Sequence, residues 1–224
     1  MNEQILSEFL NSNKNEEQAK FIKRLSPTVK DTYGIKIPIL RDFAKTLAKE
    51  QGLSVLDGFC PKSREEILIY GYVISYAKGD FEQKLSYVKY FVSLIYSWDT
   101  CDCVITFNKK DYLKVFALCK EYLKSDKEFD LRFAIVNLKI YCLTPAILPE
   151  VLSLLDDVKS KDYYVLMAIA WLLADVITFY PEIALKFLQE TKLDKFTVNK
   201  AIQKARESYR VPSDLKELLL TYKR

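Results

Sequence analysis

The residues best suited to chemistry are a tryptophan and an aspartate near the middle of the chain, Trp98 and Asp102. They are four positions apart, so a helix would place both side chains on one face, one turn apart. An indole next to an ionised carboxylate can stack on a sugar-like group and stabilise positive charge that develops there. The alternative is structural: Trp98 is a core aromatic, and Asp99 or Ser97 caps the helix.

The composition limits the chemistry that the chain can perform. The sequence contains no histidine, the commonest general base and zinc ligand, so catalysis would depend on carboxylates, Tyr, Lys, Arg or Cys. The sequence shows no dinucleotide fingerprint or phosphate loop, and Cys101-x-Cys103 has no second cysteine pair nearby, so we expect neither a cofactor nor a metal. The five cysteines show no pairing pattern, and no signal peptide or membrane span is evident. We therefore expect a cytoplasmic protein with reduced thiols.

Positive charge is concentrated towards the two ends of the sequence. Residues 14–49 and residues 192–224 each hold nine Lys/Arg against four Asp/Glu, whereas residues 50–191 hold 16 against 20. Clustered cations suit a polyanion such as a nucleic acid backbone. An ordinary solvated helix surface accounts for the same excess equally well.

The pattern of apolar residues predicts an all-α protein of about a dozen helices in one domain, residues 1–224. Only five Gly and seven Pro are present, and helical periodicity runs from Glu3 to Tyr222 without alternating strand patterns. Ser63 and Glu66 resemble a capping box, and Asp80 is predicted to cap the next helix. The stretch that begins at Trp98 is predicted to be helical to about residue 108. Pro145 and Pro181 are each predicted to open a helix.

Two of the predicted helices share a sequence pattern. Leu131-x-x-Ala134-Ile135 and Val165-x-x-Ala168-Ile169 match, at a separation typical of HEAT-like helix-pair repeats. Such pairs stack to bury their apolar faces and form a curved α-α superhelix with a concave surface.

Four segments, in order, resemble motifs of the AlkD-like DNA alkylation repair family. They are Tyr33-Gly34-Ile35-Lys36-Ile37-Pro38-Ile39-Leu40-Arg41, Trp98-Asp99-Thr100-Cys101-Asp102, Leu131-Arg132-Phe133-Ala134-Ile135-Val136 and Ala168-Ile169-Ala170-Trp171. The resemblance covers nearly the whole chain. It implies a C-shaped stack of HEAT-like repeats whose basic concave face holds duplex DNA.

The resemblance also implies an activity, the hydrolysis of the N-glycosidic bond of alkylated, cationic purines without base flipping. Asp102 would stabilise the oxocarbenium-like sugar and position water, Trp98 and Trp171 would pack against the deoxyribose, and Arg132 would grip the DNA backbone. We expect the DNA contacts to come from both basic ends of a monomer, from Tyr33, Lys36, Arg41, Lys200, Lys204, Arg206 and Arg210.

The sequence departs from the family pattern around Trp171. Met167 stands where catalytic relatives often have a basic residue, and Leu173-Ala174-Asp175 stands where an Arg-Glu-like pair follows. Two functions therefore stay open, a DNA glycosylase and a non-catalytic helical-repeat module that binds nucleic acid or a protein. On local context alone, Trp171 is equally a core residue or a site residue, and Arg132 could pair with Asp130.

Overall fold

The computed structural model describes residues 1–102 and 107–224, which form two compact units, Met1–Asp111 and Tyr112–Arg224. The described residues contain α-helices and short 3-10 helices, and among them there is no β-strand. The all-α prediction is confirmed. The single domain over residues 1–224 and its curved superhelix stay predictions.

The first unit is built around an almost wholly apolar helix. Its helices are α1 (Glu3–Ser12), α2 (Glu16–Leu25), α3 (Ile37–Gln51), α4 (Arg64–Tyr76), α5 (Phe81–Leu94) and α6 (Trp98–Asp102), with 3-10 helices at Gly52–Leu56 and Lys109–Asp111. Helix α4 packs against α3 and α5 and also contacts α6. Residues 67–74 are all buried, as expected for a helix that is apolar on every side.

Both predicted caps in the first unit form, in different ways. The Ser63 hydroxyl accepts from the Glu66 backbone N–H, but the Glu66 carboxylate accepts from the N–H of Lys62 rather than that of Ser63. The Ser63 cap is therefore half of a capping box. Asp80 and Gln83 complete the reciprocal box at the start of α5.

The second unit has a central layer of three helices. Its elements are α7 (Tyr112–Tyr122), α8 (Glu128–Tyr141), α9 (Leu148–Asp156), α10 (Tyr163–Phe179), α11 (Pro181–Glu190), α12 (Lys195–Glu207), α13 (Ser213–Leu218) and a 3-10 helix, Leu219–Tyr222. Helix α10 lies between α8 and α12, while α7 packs against α8 and α11 against α10. The matched alanines Ala134 and Ala168 are buried on α8 and α10, in agreement with a helix-pair pattern.

One of the two proline predictions is wrong. Pro181 opens α11, but α9 begins at Leu148 with Pro149 in its first turn, and Pro145 lies in the preceding loop. Both prolines can occupy a first turn, because the N–H that they lack has no partner within the helix there. The local pattern around Pro145 therefore does not decide which of two nearby prolines begins the helix.

Helix α10 is the most apolar helix of the second unit, and it has 17 residues. None of the helices in the described residues is both long and apolar enough to cross a bilayer.

Candidate active site

Trp98 and Asp102 lie at the two ends of α6, in the first unit, and both side chains are half-buried. The Trp98 indole Nε1–H donates to the backbone carbonyl of Leu25, the last residue of α2, over 3.3 Å. Trp98 is therefore not a fully buried core aromatic, and a neighbouring helix fixes the edge of its ring.

Buried charges hold α6 against α4. The Asp99 carboxylate accepts from the Arg64 Nε over 2.5 Å and from the Ser97 hydroxyl over 2.6 Å. Arg64 also pairs through Nη1 with Glu65 Oε1 at 3.0 Å, and Arg64 and Glu65 are 4% and 0% exposed. This ion network ties Asp99, and with it α6, to the first turn of α4.

The same network fixes the loop that precedes α3. Glu65 accepts from the Thr32 hydroxyl at 2.7 Å and from the backbone N–H groups of Tyr33 and Ile35 at 3.0 and 3.3 Å. Between them, Gly34 has a φ of +72°, and a Cβ there would lie 2.0 Å from the Asn15 carbonyl oxygen. Only glycine fits this position, and it lets the loop pass close to the start of α2.

The network alters the ionisation of its members and neighbours. Burial alone would lower the pKa of the Arg64 guanidinium, but the Asp99 and Glu65 carboxylates outweigh burial and raise it. Burial, together with the negative charges of Asp99 and Glu65, raises the pKa of Tyr96 to about 12. Arg64 therefore remains a cation, and Tyr96 remains neutral, at physiological pH.

In the second unit, Trp171 and Asp175 lie one turn apart on α10 and share a lysine from α8. The Lys139 Nζ lies 3.9 Å from the centroid of the Trp171 ring and 3.0 Å from the Asp175 Oδ2. Trp171 is half-buried, so it is neither a core residue nor a freely exposed one. One face of its indole carries an ammonium whose charge Asp175 balances.

A cleft of about 260 Å³ opens beside Trp171, between α10, α12 and the loop after α12. It brings the indole together with two of the predicted DNA-binding cations and two acids, and its lining includes Trp171, Ala174, Asp175, Lys204, Glu207 and Arg210. Ala174 supplies no charge, as the sequence departure implied. Lys204 and Arg210 place positive charge within the cleft, from α12 and from the loop that follows it.

Arg132 is buried rather than presented to a ligand. It is 6% exposed, and its Nη1 donates to the Tyr164 carbonyl over 2.5 Å. The Tyr164 N–H in turn donates to Glu128 over 3.1 Å, so two α8 side chains hold the first turn of α10. The acid that we considered as a partner, Asp130, accepts a hydrogen bond from Ser125.

The other predicted DNA-binding residues occupy different environments. In the first unit, Lys36 and Arg41 are exposed at the start of α3, and the Tyr33 side chain is half-buried. In the second unit, Lys200 lines a separate cleft, and Arg206 donates through Nε to the Lys216 carbonyl over 3.1 Å. Lys36 and Arg41 are therefore accessible to a ligand, whereas Arg206 joins α12 to α13.

No metal site is evident in the described part of the chain, where no group of three or more Cys, Asp or Glu side chains could hold an ion. The Cys101-x-Cys103 motif includes Cys103, which lies outside the described residues.

Comparison with known families agrees with the resemblance of the motifs. The family model for the DNA alkylation repair enzymes matches residues 6–205. The chain belongs to this family. No curated protein matches the chain.

Family membership makes the chain a DNA repair enzyme whose partner is DNA. The matched region includes all four predicted catalytic residues, Trp98, Asp102, Arg132 and Trp171, together with Lys204. Arg206 and Arg210 lie beyond it. Within each unit, the structure brings Trp98 close to Asp102 and places Trp171 close to Lys204 and Arg210.

The buried Arg64–Asp99–Glu65 network and the position of Lys139 are features that the sequence analysis missed. A signal for the network was present, because α4 is apolar on every side and charged residues in the first turn of such a helix are buried with it. Buried charges require partners, which predicts an acid for Arg64 but does not say which one.

Proposed function

We propose that this DNA alkylation repair enzyme is a glycosylase that hydrolyses the N-glycosidic bond of cationic, alkylated purines in duplex DNA. The observation that carries the proposal is the Trp98–Asp102 pair on one short helix, in a chain whose family match spans it. The substrate class and the absence of base flipping come from the resemblance to the AlkD-like proteins. Most other glycosylases flip their target base into a pocket.

The chemistry suits a chain without histidine. A purine made cationic by alkylation leaves readily, so no strong general acid is needed. Water adds to C1′ of the deoxyribose, the bond from C1′ to the base nitrogen breaks, and its electron pair leaves with the purine, which becomes neutral. The Asp102 carboxylate stabilises the positive charge on the sugar, orients the water and can accept its proton.

The two tryptophans and the cations hold the DNA around this step. Trp98 and Trp171 pack against the deoxyribose of the lesion, as the resemblance implies. Lys204 and Arg210 in the second unit, and Lys36 and Arg41 in the first, neutralise phosphates.

Arg132 acts on the DNA indirectly in this proposal. Its guanidinium is buried against the Tyr164 carbonyl, so it acts as a positioning residue that holds the first turn of α10. The enzyme works as a monomer without a metal or cofactor.

A second function is a DNA-binding repeat module without catalysis. It is favoured by Ala174, which brings no charge to the cleft, and by Asp175, whose charge Lys139 balances at 3.0 Å. Such a module would use Trp171 and the cleft cations to grip DNA. The Asp102 carboxylate would have no catalytic role in such a module.

The test is to incubate purified protein with duplex DNA treated with a methylating agent and to quantify the released purines. Release of methylated purine that increases with enzyme concentration supports the glycosylase. If the protein binds the duplex but releases no purine, the glycosylase proposal fails and the binding module takes its place.

A further inference from the structure

The second unit carries a pair of exposed aromatic rings at the starts of α10 and α12. Tyr163 is 56% exposed and Phe196 is 39% exposed, and their ring centroids are 6.2 Å apart. Neither ring lines the Trp171 cleft. The two ring planes are tilted by 50° to each other, so a flat ligand can stack on one ring and contact the other with its edge.

A cleft rich in lysine adjoins one ring of this pair, Phe196. Lys195, Lys200 and Lys223, together with Phe196, line a cleft of about 540 Å³, and none of the described residues that line it is acidic. The Lys200 Nζ lies 3.0 Å from the Gln203 side-chain oxygen, which orients the ammonium along α12. The surface therefore combines aromatic rings with a cleft lined by three lysines.

Hydrogen bonds fix the lysine that comes from outside α12. Asn199 donates to the Arg224 carbonyl over 2.9 Å and accepts from the Arg224 N–H over 3.1 Å. The Arg224 guanidinium donates to the carbonyls of Leu188, Thr191 and Leu193. Lys223 is thereby held at the rim of the cleft.

We infer that the Tyr163–Phe196 surface binds an unpaired nucleobase, with one ring stacking on the base, the other ring contacting its edge, and the three lysines contacting the adjoining phosphates. Bases in duplex DNA are stacked on one another, whereas a single strand offers the faces of its bases to a protein ring without the free-energy cost of unstacking a duplex. Aromatic platforms in a basic groove are the means by which proteins hold single strands without sequence preference. The inference rests on the proposed function only in taking DNA as the partner.

The experiment measures fluorescence anisotropy of a labelled five-nucleotide oligothymidylate and of an abasic oligomer with the same number of phosphates. The wild-type protein should bind the thymidylate at least about fivefold more tightly, since stacking contributes that much for one base. Tyr163→Leu with Phe196→Leu should bring the ratio close to one without weakening the abasic oligomer. Lys195→Gln with Lys200→Gln and Lys223→Gln should weaken both oligomers equally.

The control is Phe21→Leu, an equally exposed aromatic (43%) in the first unit, which should keep the wild-type ratio. Each single variant, Tyr163→Leu and Phe196→Leu, should lower the ratio in part, which guards against misfolding of the double variant. A wild-type ratio of one, or a ratio that survives in the double variant, overturns the inference.

Purine release from methylated duplex is measured on the same proteins to separate the two proposals. If the protein prefers the thymidylate but releases no purine, the single-strand site is supported and the glycosylase proposal fails. If the protein releases purine but shows no preference for the thymidylate, the glycosylase proposal is supported and the single-strand site is overturned.

Discussion

Trp98 and Asp102 on α6 have the same spacing as Trp171 and Asp175 on α10, and all four side chains are half-buried. The helices that carry them are held differently, and α10, with 17 residues, is a long helix. The long helix is held by apolar packing against α8 and α12. Helix α6 is joined to α4 by the buried Arg64–Asp99 ion pair. Two Trp–Asp pairs with the same spacing are thus held in place by different interactions.

The surroundings of the Asp175 carboxylate bear on its role. Asp175 pairs with Lys139, whose ammonium also lies over the Trp171 ring. A carboxylate that already balances a cation gives less electrostatic stabilisation to a positive charge that develops on a sugar. We therefore do not assign charge stabilisation to Asp175.

The largest expected effect comes from removing the cation that holds α6. Arg64→Met leaves Asp99 buried without its partner, and we expect the free energy of unfolding of the first unit to fall by about 3–5 kcal/mol. Lys139→Met, the equivalent loss in the second unit, should cost about 1 kcal/mol. Urea denaturation followed by circular dichroism measures both.

A double variant tests the reason for this cost. Arg64→Met with Asp99→Leu removes both charges, while Glu65 keeps its three donors from the loop before α3. It should be more stable than Arg64→Met alone. Equal or greater destabilisation would show that the ion pair is not what holds α6.

The next largest effect distinguishes the roles of Asp102 and Asp175 in purine release. Asp102→Asn keeps the side-chain shape but removes the negative charge, and we expect purine release to slow by about a hundredfold or more. Asp175→Asn should slow release by no more than about fivefold, because the Asp175 carboxylate forms an ion pair with Lys139. Single-turnover release of methylated purine from duplex DNA, at saturating enzyme, distinguishes them. Equal losses of release rate in the two variants would contradict a special role for Asp102.

A third prediction compares the cations of the two units. If about five phosphates are neutralised, log affinity for duplex DNA should fall against log salt with a slope of about −4.5. Lys204→Glu with Arg210→Glu, and Lys36→Glu with Arg41→Glu, should each weaken binding of every sequence and reduce the slope by about two. Salt titrations of anisotropy measure this. If one pair has no effect, that unit does not contact the phosphates.

The smallest expected effect concerns alkaline stability. Burial, first of all, raises the pKa of Tyr96 in the first unit and of Tyr122 in the second to about 12. Between about pH 10 and 12 the unfolded chain loses these protons while the folded chain keeps them, so stability falls as pH rises. Each tyrosine contributes less than about 1.4 kcal/mol per pH unit, because both are partly exposed.

The matched variants are Tyr96→Phe and Tyr122→Phe, with denaturant unfolding measured at several pH values. Each should flatten the alkaline decline in stability, and neither should change stability below pH 9. A decline identical to that of the wild type would mean that the two hydroxyls titrate normally.

Local features of this protein were determined by the sequence alone. The helices follow from apolar periodicity and from caps such as Asp80, because both act within a few residues of chain. The family followed from ordered motifs, and the shared helix of Trp98 and Asp102 followed from their spacing.

Only the tertiary structure decided what surrounds those residues. Arg64 and Asp99 are 35 positions apart, and Lys139 reaches Trp171 from another helix. Arg132, predicted to grip DNA, lies buried against the carbonyl of Tyr164. The physical reason is that burial and pairing of a charge depend on which helices pack together, and periodicity within one helix identifies its apolar face but not its neighbour.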